Sequence, residues 1–478
     1  MVRRVRRNLL LGVGLALGAA VLALGRDDDR VAPDLGRRDV AAHAAVSPLA
    51  LVPPLAVAPA AANAPPPTTG PAAAALSAAG LSAAGEMAAG EMAAGEMAAG
   101  AMAPLPPPRP IGGAAADRTP ELDLARMELR GDRYLAPMRD GRWAILTLDP
   151  KIQAVAEKVL RRAKAPRGAI VVTHPDGRIL ALAGRRTDDP TGAGEGIADP
   201  RLALDAWAPS ASIFKVVTAA ALVEAGVRKS DRVCFHGGVR SVMESNLTAS
   251  RLDRRCEDLS YGVAHSQNAI IAKLTHQKLT PGQLTEVARR LGFDRPLPAP
   301  LDGEVGELTA MPADKGVDFA RTAAGFQGVT LSAVGGAMLA NTVAAGGMAM
   351  PPQLVSGYLD GAQELPAAPT PAGQRVLEES VADEVGTMMA ATCADGSAAK
   401  AFAGRERIPG VAVAGKTGTL SDDDPFYMQY SWFVGYAPVD KPQLSVSVLL
   451  GNPELWQLKA HTAARMVLIE ALRSRAGS

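Results

Sequence analysis

Pro209-Ser-Ala-Ser-Ile-Phe-Lys-Val-Val-Thr-Ala-Ala-Ala-Leu-Val-Glu-Ala-Gly226 is the stretch on which the reading of this chain turns. Pro and Ser open it, good helix formers follow, and Gly226 stops it, so the segment reads as a helix. Residues three apart share a helix face, which sets the Lys215 amine beside the Ser212 hydroxyl. The Ser212 amide falls at the helix start, where free N–H groups favour developing negative charge. A hydroxyl next to a partly desolvated amine is the pairing that nucleophilic acyl transfer requires when no His stands in the motif.

Two further strings extend this chemistry. Ser266-Gln-Asn268 supplies a second hydroxyl beside an amide, and Lys416-Thr-Gly-Thr419 supplies a cation, two hydroxyls and a Gly that lets a substrate lie close to the backbone. Each string alone is weak, and their combination and order carry the weight. Lys416-Thr-Gly-Thr follows the apolar run Val411-Ala-Val-Ala-Gly415, of strand length. Ser431-Trp-Phe-Val-Gly-Tyr-Ala-Pro438 and Leu444-Ser-Val-Ser-Val-Leu-Leu450 are two further strand candidates.

With these strings the chain resembles the penicillin-binding protein transpeptidases, the active-site serine enzymes that also include the serine β-lactamases. The resemblance covers roughly residues 120 to 474. It includes Leu146-Thr-Leu-Asp-Pro-Lys-Ile-Gln153, the hairpin segments Gly168–His174 and Arg178–Gly184 around Pro175-Asp-Gly177, and the helix-like run Thr330–Gly347. It implies an α/β (α+β) fold with a five-stranded antiparallel sheet, in which the N-terminal hairpin lies beside the three C-terminal strands. An all-helical subdomain, about Val216 to Ala345, would cover one face, with the site in the cleft between them.

The roles follow. Ser212 is the expected nucleophile, Lys215 its base, and Ser266 the relay of the proton to the leaving amine. Asn268 would hold the substrate amide, and Lys416 would keep the field positive and favour a neutral Lys215. By resemblance, Thr417 and Thr419 take the substrate's terminal carboxylate, with Gly418 between them. The amides of Ser212 and Thr419 would form the oxyanion hole. Ser210, with no Lys three residues on, reads as the helix cap.

Composition bounds the rest. The chain has 478 residues and a formal charge of +1, so there is no electrostatic case for nucleic acid. Its six His lack metal-ligand spacing, and His236 and His265 read as surface residues. No metal or cofactor is expected. Cys234, Cys256 and Cys393 fit no zinc pattern. In an oxidising compartment Cys234 and Cys256 would pair and Cys393 would stay free, the alternative being three buried thiols.

Residues 1–8 read as a cytoplasmic tail, because Arg3, Arg4, Arg6 and Arg7 precede the uncharged apolar stretch Leu9–Gly25. As a helix that stretch would span ~25 Å, at the short edge for a bilayer. A retained transmembrane signal-anchor is the expectation, and cleavage after Ala23-Leu-Gly25 is the alternative. Residues 26–117 are Ala- and Pro-rich, with Ala-Ala-Gly-Glu-Met repeated over residues 83–97. A Gly in every repeat costs a helix ~1 kcal/mol, and a five-residue period builds no apolar stripe. This reads as a disordered linker, reaching on the order of 50 Å as a coil. Residues 118–474 are then the transpeptidase domain, and the chain looks monofunctional, without a glycosyltransferase.

The expected function is a membrane-tethered D,D-transpeptidase. It would cross-link peptidoglycan stem peptides at their D-Ala-D-Ala ends through a serine acyl-enzyme and be inhibited by β-lactams. Its catalytic domain would face the periplasm from the cytoplasmic membrane, with any cell-wall synthesis partners unidentified. A D,D-carboxypeptidase, a class D-like β-lactamase, and a β-lactam sensor or scaffold are the alternatives. Asn268 argues against the β-lactamase, whose middle string usually ends in an aliphatic residue.

Overall fold

Ala169–Val172 and Ile179–Ala183 run without a polar break, so strands made of them need cover on both faces. The computed structural model, which describes residues 122–187, 194–405, 407–422 and 427–476, supplies that cover. The expected tail, anchor and linker (residues 1–8, 9–25 and 26–117) lie outside the described residues.

β1 (Glu128–Arg130), β2 (Arg133–Pro137) and β3 (Trp143–Leu146) form a meander that leads into α1 (Pro150–Ala163). Asp149 caps α1, accepting from the amides of Lys151 at 2.8 Å and Ile152 at 3.1 Å, and Pro150 takes the first helical position. β4 (Arg167–Thr173) and β5 (Ile179–Arg186) make the expected hairpin, turned at Gly177 with φ +95°. Then come β6 (Ile197–Ala198), α2 (Arg201–Leu204), β7 (Ala208–Pro209), a 3₁₀ turn over Ala211–Phe214 and α3 (Lys215–Glu224). A ribbon of β8 (Arg232–Phe235) and β9 (Arg255–Asp258) precedes α4 (Leu259–Ala264), α5 (Asn268–Lys278), α6 (Pro281–Arg290) and α7 (Val317–Ala323). β10 (Thr330–Leu331), α8 (Ala333–Ala344) and β11 (Met348–Ala349) follow. Next are β12 (Val355–Asp360), β13 (Gln363–Pro366), β14 (Gln374–Arg375), α9 (Glu379–Ala394) and α10 (Ala399–Phe402). The described chain closes with β15 (Ala414–Asp422), β16 (Met428–Ala437), β17 (Leu444–Asn452) and α11 (Ala460–Ala476).

The main sheet is antiparallel in the order β15-β16-β17-β4-β5-β6, which sets the N-terminal hairpin beside the three C-terminal strands. It has six strands rather than five, because the two-residue β6 pairs with the end of β5 at Arg185 and Arg186. Alternate side chains face opposite ways. Ile170, Val172, Val446 and Val448 pack with Val159 and Leu160 of α1 and Val467 and Leu468 of α11. Ala169 and Val171 pack on the other face with Val334 and Ala337 of α8. Each aliphatic side chain so buried contributes ~1.5–3 kcal/mol.

Two further differences from expectation have physical causes. A second sheet, β1-β2-β3-β12-β13, brings Leu146 of β3 opposite Val355 of β12, a pairing between distant segments that no local pattern announces. The subdomain after α3 is not all helical either. It carries the β8–β9 ribbon, in which Cys234 and Cys256 lie opposite each other and form a disulfide, while Cys393 on α9 is free and buried.

Candidate active site

The segment around Ser212 is a 3₁₀ turn running into α3, tighter at its start than the expected regular helix. α3 ends at Glu224, and past its cap at Ala225 the Gly226 amide (φ +84°) donates to Val223 O and the Val227 amide to Leu222 O. This is a Schellman stop. Lys215 begins α3 and is completely buried, with Nζ 2.7 Å from Ser212 Oγ and 2.6 Å from the carbonyl of Ala324. Burial, reinforced by the nearby charge of Lys416, holds its amine well below the ordinary lysine range.

That second contact comes from a loop the motifs do not include. α7 also ends in a Schellman stop, with Gly325 at φ +84° donating to Thr322 O and Phe326 donating to Arg321 O. The stop turns the Ala324 carbonyl to Lys215. It also lays Gly325 against the peptide before the candidate nucleophile, since a Cβ there would fall 1.8 Å from Ala211 O. Ala211 itself has φ +47°, a costly conformation for a residue with a side chain, held by this packing. The only trace in the sequence is a Gly after a helix-like run, which reads as an ordinary stop.

Lys416 lies inside β15, which starts at Ala414. It too is completely buried, with Nζ 3.1 Å from Ser266 Oγ and 2.8 Å from the Thr417 carbonyl. Burial lowers its amine to about 7. β15 is the free edge of the sheet, so an extended peptide has a strand to lie along. Gly418 brings β15 close to the Ser212 turn: a Cβ there would meet Ile213 and Ala211 at 3.2 and 3.3 Å. Thr419 is exposed on the same strand.

Ser266 sits between α4 and α5 with φ +55°, which tips its hydroxyl to Lys416. The structure therefore brings Ser212 with Lys215, and Ser266 with Lys416, as two hydroxyl–amine pairs, and the charge of Lys416 acts on Lys215. Asn268 also serves the fold. It starts α5, is buried, and turns its Nδ2 to the carbonyls of Gly238 at 2.8 Å and Val239 at 3.3 Å. It thus holds the loop after β8, and its Oδ1 is the atom left to face a substrate.

Ser210 occupies the position before the 3₁₀ turn but makes no capping bond. Its hydroxyl is buried without a partner, so the expected cap is not formed. His236 is not a surface residue: Nδ1 lies 2.6 Å from Asp253 Oδ1 and Nε2 3.3 Å from Ser245 Oγ. Asp253, also held by Lys273 at 2.7 Å, braces the loop between β8 and β9. Burial works to raise its carboxyl, but these hydrogen bonds bring it down to about 2. His265 is half-buried and stacks on Tyr261. Among the described residues, no His, Cys, Asp and Glu group is placed to hold a metal.

The family profile described as the penicillin binding protein transpeptidase domain matches residues 168–468. Peptidoglycan D,D-transpeptidase PbpA of Mycobacterium tuberculosis is 28% identical over 336 residues, covering 64% of this chain and 66% of that protein. The probable peptidoglycan D,D-transpeptidase FtsI of Caulobacter vibrioides is 28% identical over 374 residues, covering 72% of this chain and 60% of that protein. The match thus spans just under two thirds of the length of these relatives. The solved structure of penicillin-binding protein A from M. tuberculosis, as an imipenem acyl-enzyme complex, is similar with a TM-score of 0.57 and 25% identity. That likeness covers 70% of this chain and 80% of the other. Motif order, sheet topology and a family match over most of the chain agree, and the chain belongs to the penicillin-binding protein transpeptidase domain family.

Proposed function

We propose that this chain is a serine D,D-transpeptidase that cross-links peptidoglycan stem peptides and is acylated by β-lactams. The observation that carries the reading is the 2.7 Å approach of a completely buried lysine amine to Ser212 Oγ. The names of the relatives support the substrate class.

In this reading neutral Lys215 takes the Ser212 proton as Oγ bonds to the carbonyl carbon of the penultimate D-Ala. The amides of Ser212 and Thr419 receive the oxyanion. The C–N bond then breaks, and the proton reaches the departing D-Ala amine through Ser266. An acceptor amine then attacks the ester carbonyl, the bond from that carbon to Ser212 Oγ breaks, and the amine's proton returns to Oγ by way of Lys215. Protonated Lys416 with Thr417 and Thr419 holds the terminal carboxylate, which a β-lactam imitates. Asn268 contacts the substrate amide only through what its loop bonds leave free.

The apolar stretch Leu9–Gly25 behind four Arg would tether this domain outside the cytoplasmic membrane. Among the described residues no helix is long and apolar enough to cross one, so the tether rests on the sequence. A mature N-terminus at Arg26, read by mass spectrometry, would remove it.

Incubation of the full chain with a fluorescent penicillin tests the activity. The reading expects a label that persists for many minutes. Rapid release would mean a β-lactamase, and no label at all would sink the acyl-transfer assignment.

A further inference from the structure

Beyond the three strings, one more segment reaches the candidate site. α9 ends at Ala394, and the residues after it reach both the segment before Ser266 and strand β15. Ser397 Oγ lies 2.6 Å from Thr417 Oγ1. Its own amide donates to the carbonyl of Ala264, two residues before Ser266, at 3.0 Å. Gly396 makes this approach feasible, since a Cβ there would fall 2.4 Å from the same Ala264 carbonyl. A single residue therefore bonds the segment of Ser266 through its main chain and the strand of Lys416 through its side chain.

We infer that Ser397 is a positioning residue for the terminal carboxylate of the substrate, acting through Thr417; this rests on the proposed transpeptidase reading. The chemistry is one of proton direction. Two hydroxyls 2.6 Å apart share one hydrogen bond, and either oxygen has the geometry to donate. A carboxylate only accepts, so it needs the Thr417 proton. That proton is free for it when Ser397 donates to Thr417, and is spent when Thr417 donates to Ser397. A bound carboxylate selects the first arrangement, and the chain Ser397 to Thr417 to carboxylate is polarised along its length. Removing the Ser397 hydroxyl takes away the first link and leaves Thr417 free to rotate. Ser397 is exposed, so its hydroxyl is not part of the core.

The test uses the full chain and benzylpenicillin, with the initial complex and the acylation step separated by stopped-flow kinetics. Ser397→Thr and Ser397→Val are near-isosteric and differ in the hydroxyl. We expect Ser397→Thr to match the wild type within ~2-fold and Ser397→Val to weaken the initial complex by ~3- to 10-fold, the net scale of one hydrogen bond between neutral groups. The acylation rate constant of the formed complex should change far less, and melting temperature should be the same in both variants. If Thr and Val behave alike, or if the loss falls on the acylation step alone, the role of Ser397 is overturned. If the wild type is not acylated at all, the transpeptidase reading beneath it fails first.

Discussion

Lys215 on the helical wall and Lys416 on the strand wall have matching surroundings. Each is completely buried, and each amine meets one serine hydroxyl and one main-chain carbonyl: Ser212 and Ala324 for the first, Ser266 and Thr417 for the second. Neither set of partners includes a carboxylate. Yet burial leaves Lys416 at about 7, while Lys215 is depressed by burial and then by the charge of Lys416. Equal hydrogen bonding does not set equal charge, because a charge on Lys416 disfavours a second one on Lys215, which suits Lys215 to the part of base.

Removing the base should break that comparison most strongly. Lys215→Ala is expected to slow penicillin acylation by ~100-fold or more, measured by stopped flow. Lys215→Met should lose as much activity but melt higher. With its folded pKa below the unfolded value, the amine binds more protons in the unfolded chain at neutral pH, so stability rises with pH up to the unfolded pKa. Removing the amine removes that penalty, at ~2–4 °C per kcal/mol in a scanning melt. A lower melting temperature for Lys215→Met would contradict the burial argument.

Gly325→Ala probes the support under Ser212. Its Cβ has no room against Ala211 O, so the Ser212 turn must shift, and acylation should fall by ~10- to 100-fold, the scale of an ångström-sized misplacement. Unchanged kinetics would remove the loop from the account. The strand wall is sharpened by pH. Lys416 is charged below about 7 and neutral above it, so acylation should decline by up to ~10-fold per unit on the alkaline side. A rate still rising at pH 9 would mean that the cation is not required.

The smallest effect on chemistry is expected at the disulfide, which touches neither amine's hydrogen-bond partners. Cys234→Ser with Cys256→Ser opens a closure of sequence separation 22, costing ~3 kcal/mol of stability in the chain-entropy picture, with acylation unchanged within ~2-fold. Denaturant melts and the same kinetics would check this.

What was legible in the sequence was local. Ser212 and Lys215 share a helix face, the hairpin around Gly177 has its turn residues, and β15 to β17 are apolar runs, so each could be read where it stands. What escaped depends on distant segments meeting. Ala324 and Gly325 serve the site only because α7 stops beneath the Ser212 turn, and Gly396-Ser397 reads as a plain helix end until Ala264 and Thr417 are seen beside it. Asn268 belonged to a recognisable string, but the loop that takes up its Nδ2 is thirty residues back in the chain. The second sheet joins β3 to β12 across more than two hundred residues, and its outer strand β1 is exposed throughout, so it has no apolar alternation to read.

The assignment of the nucleophile is the claim on which the rest depends, and one measurement addresses it directly. The full chain is treated with benzylpenicillin, digested with trypsin, and the modified peptide is sequenced by tandem mass spectrometry. Cleavage after Arg201 and Lys215 places Ser210 and Ser212 in one peptide, so the fragment ions must separate them. The account predicts the penicilloyl mass on Ser212, and no adduct in Ser212→Ala. An adduct on Ser210, or one that persists in Ser212→Ala, would contradict it.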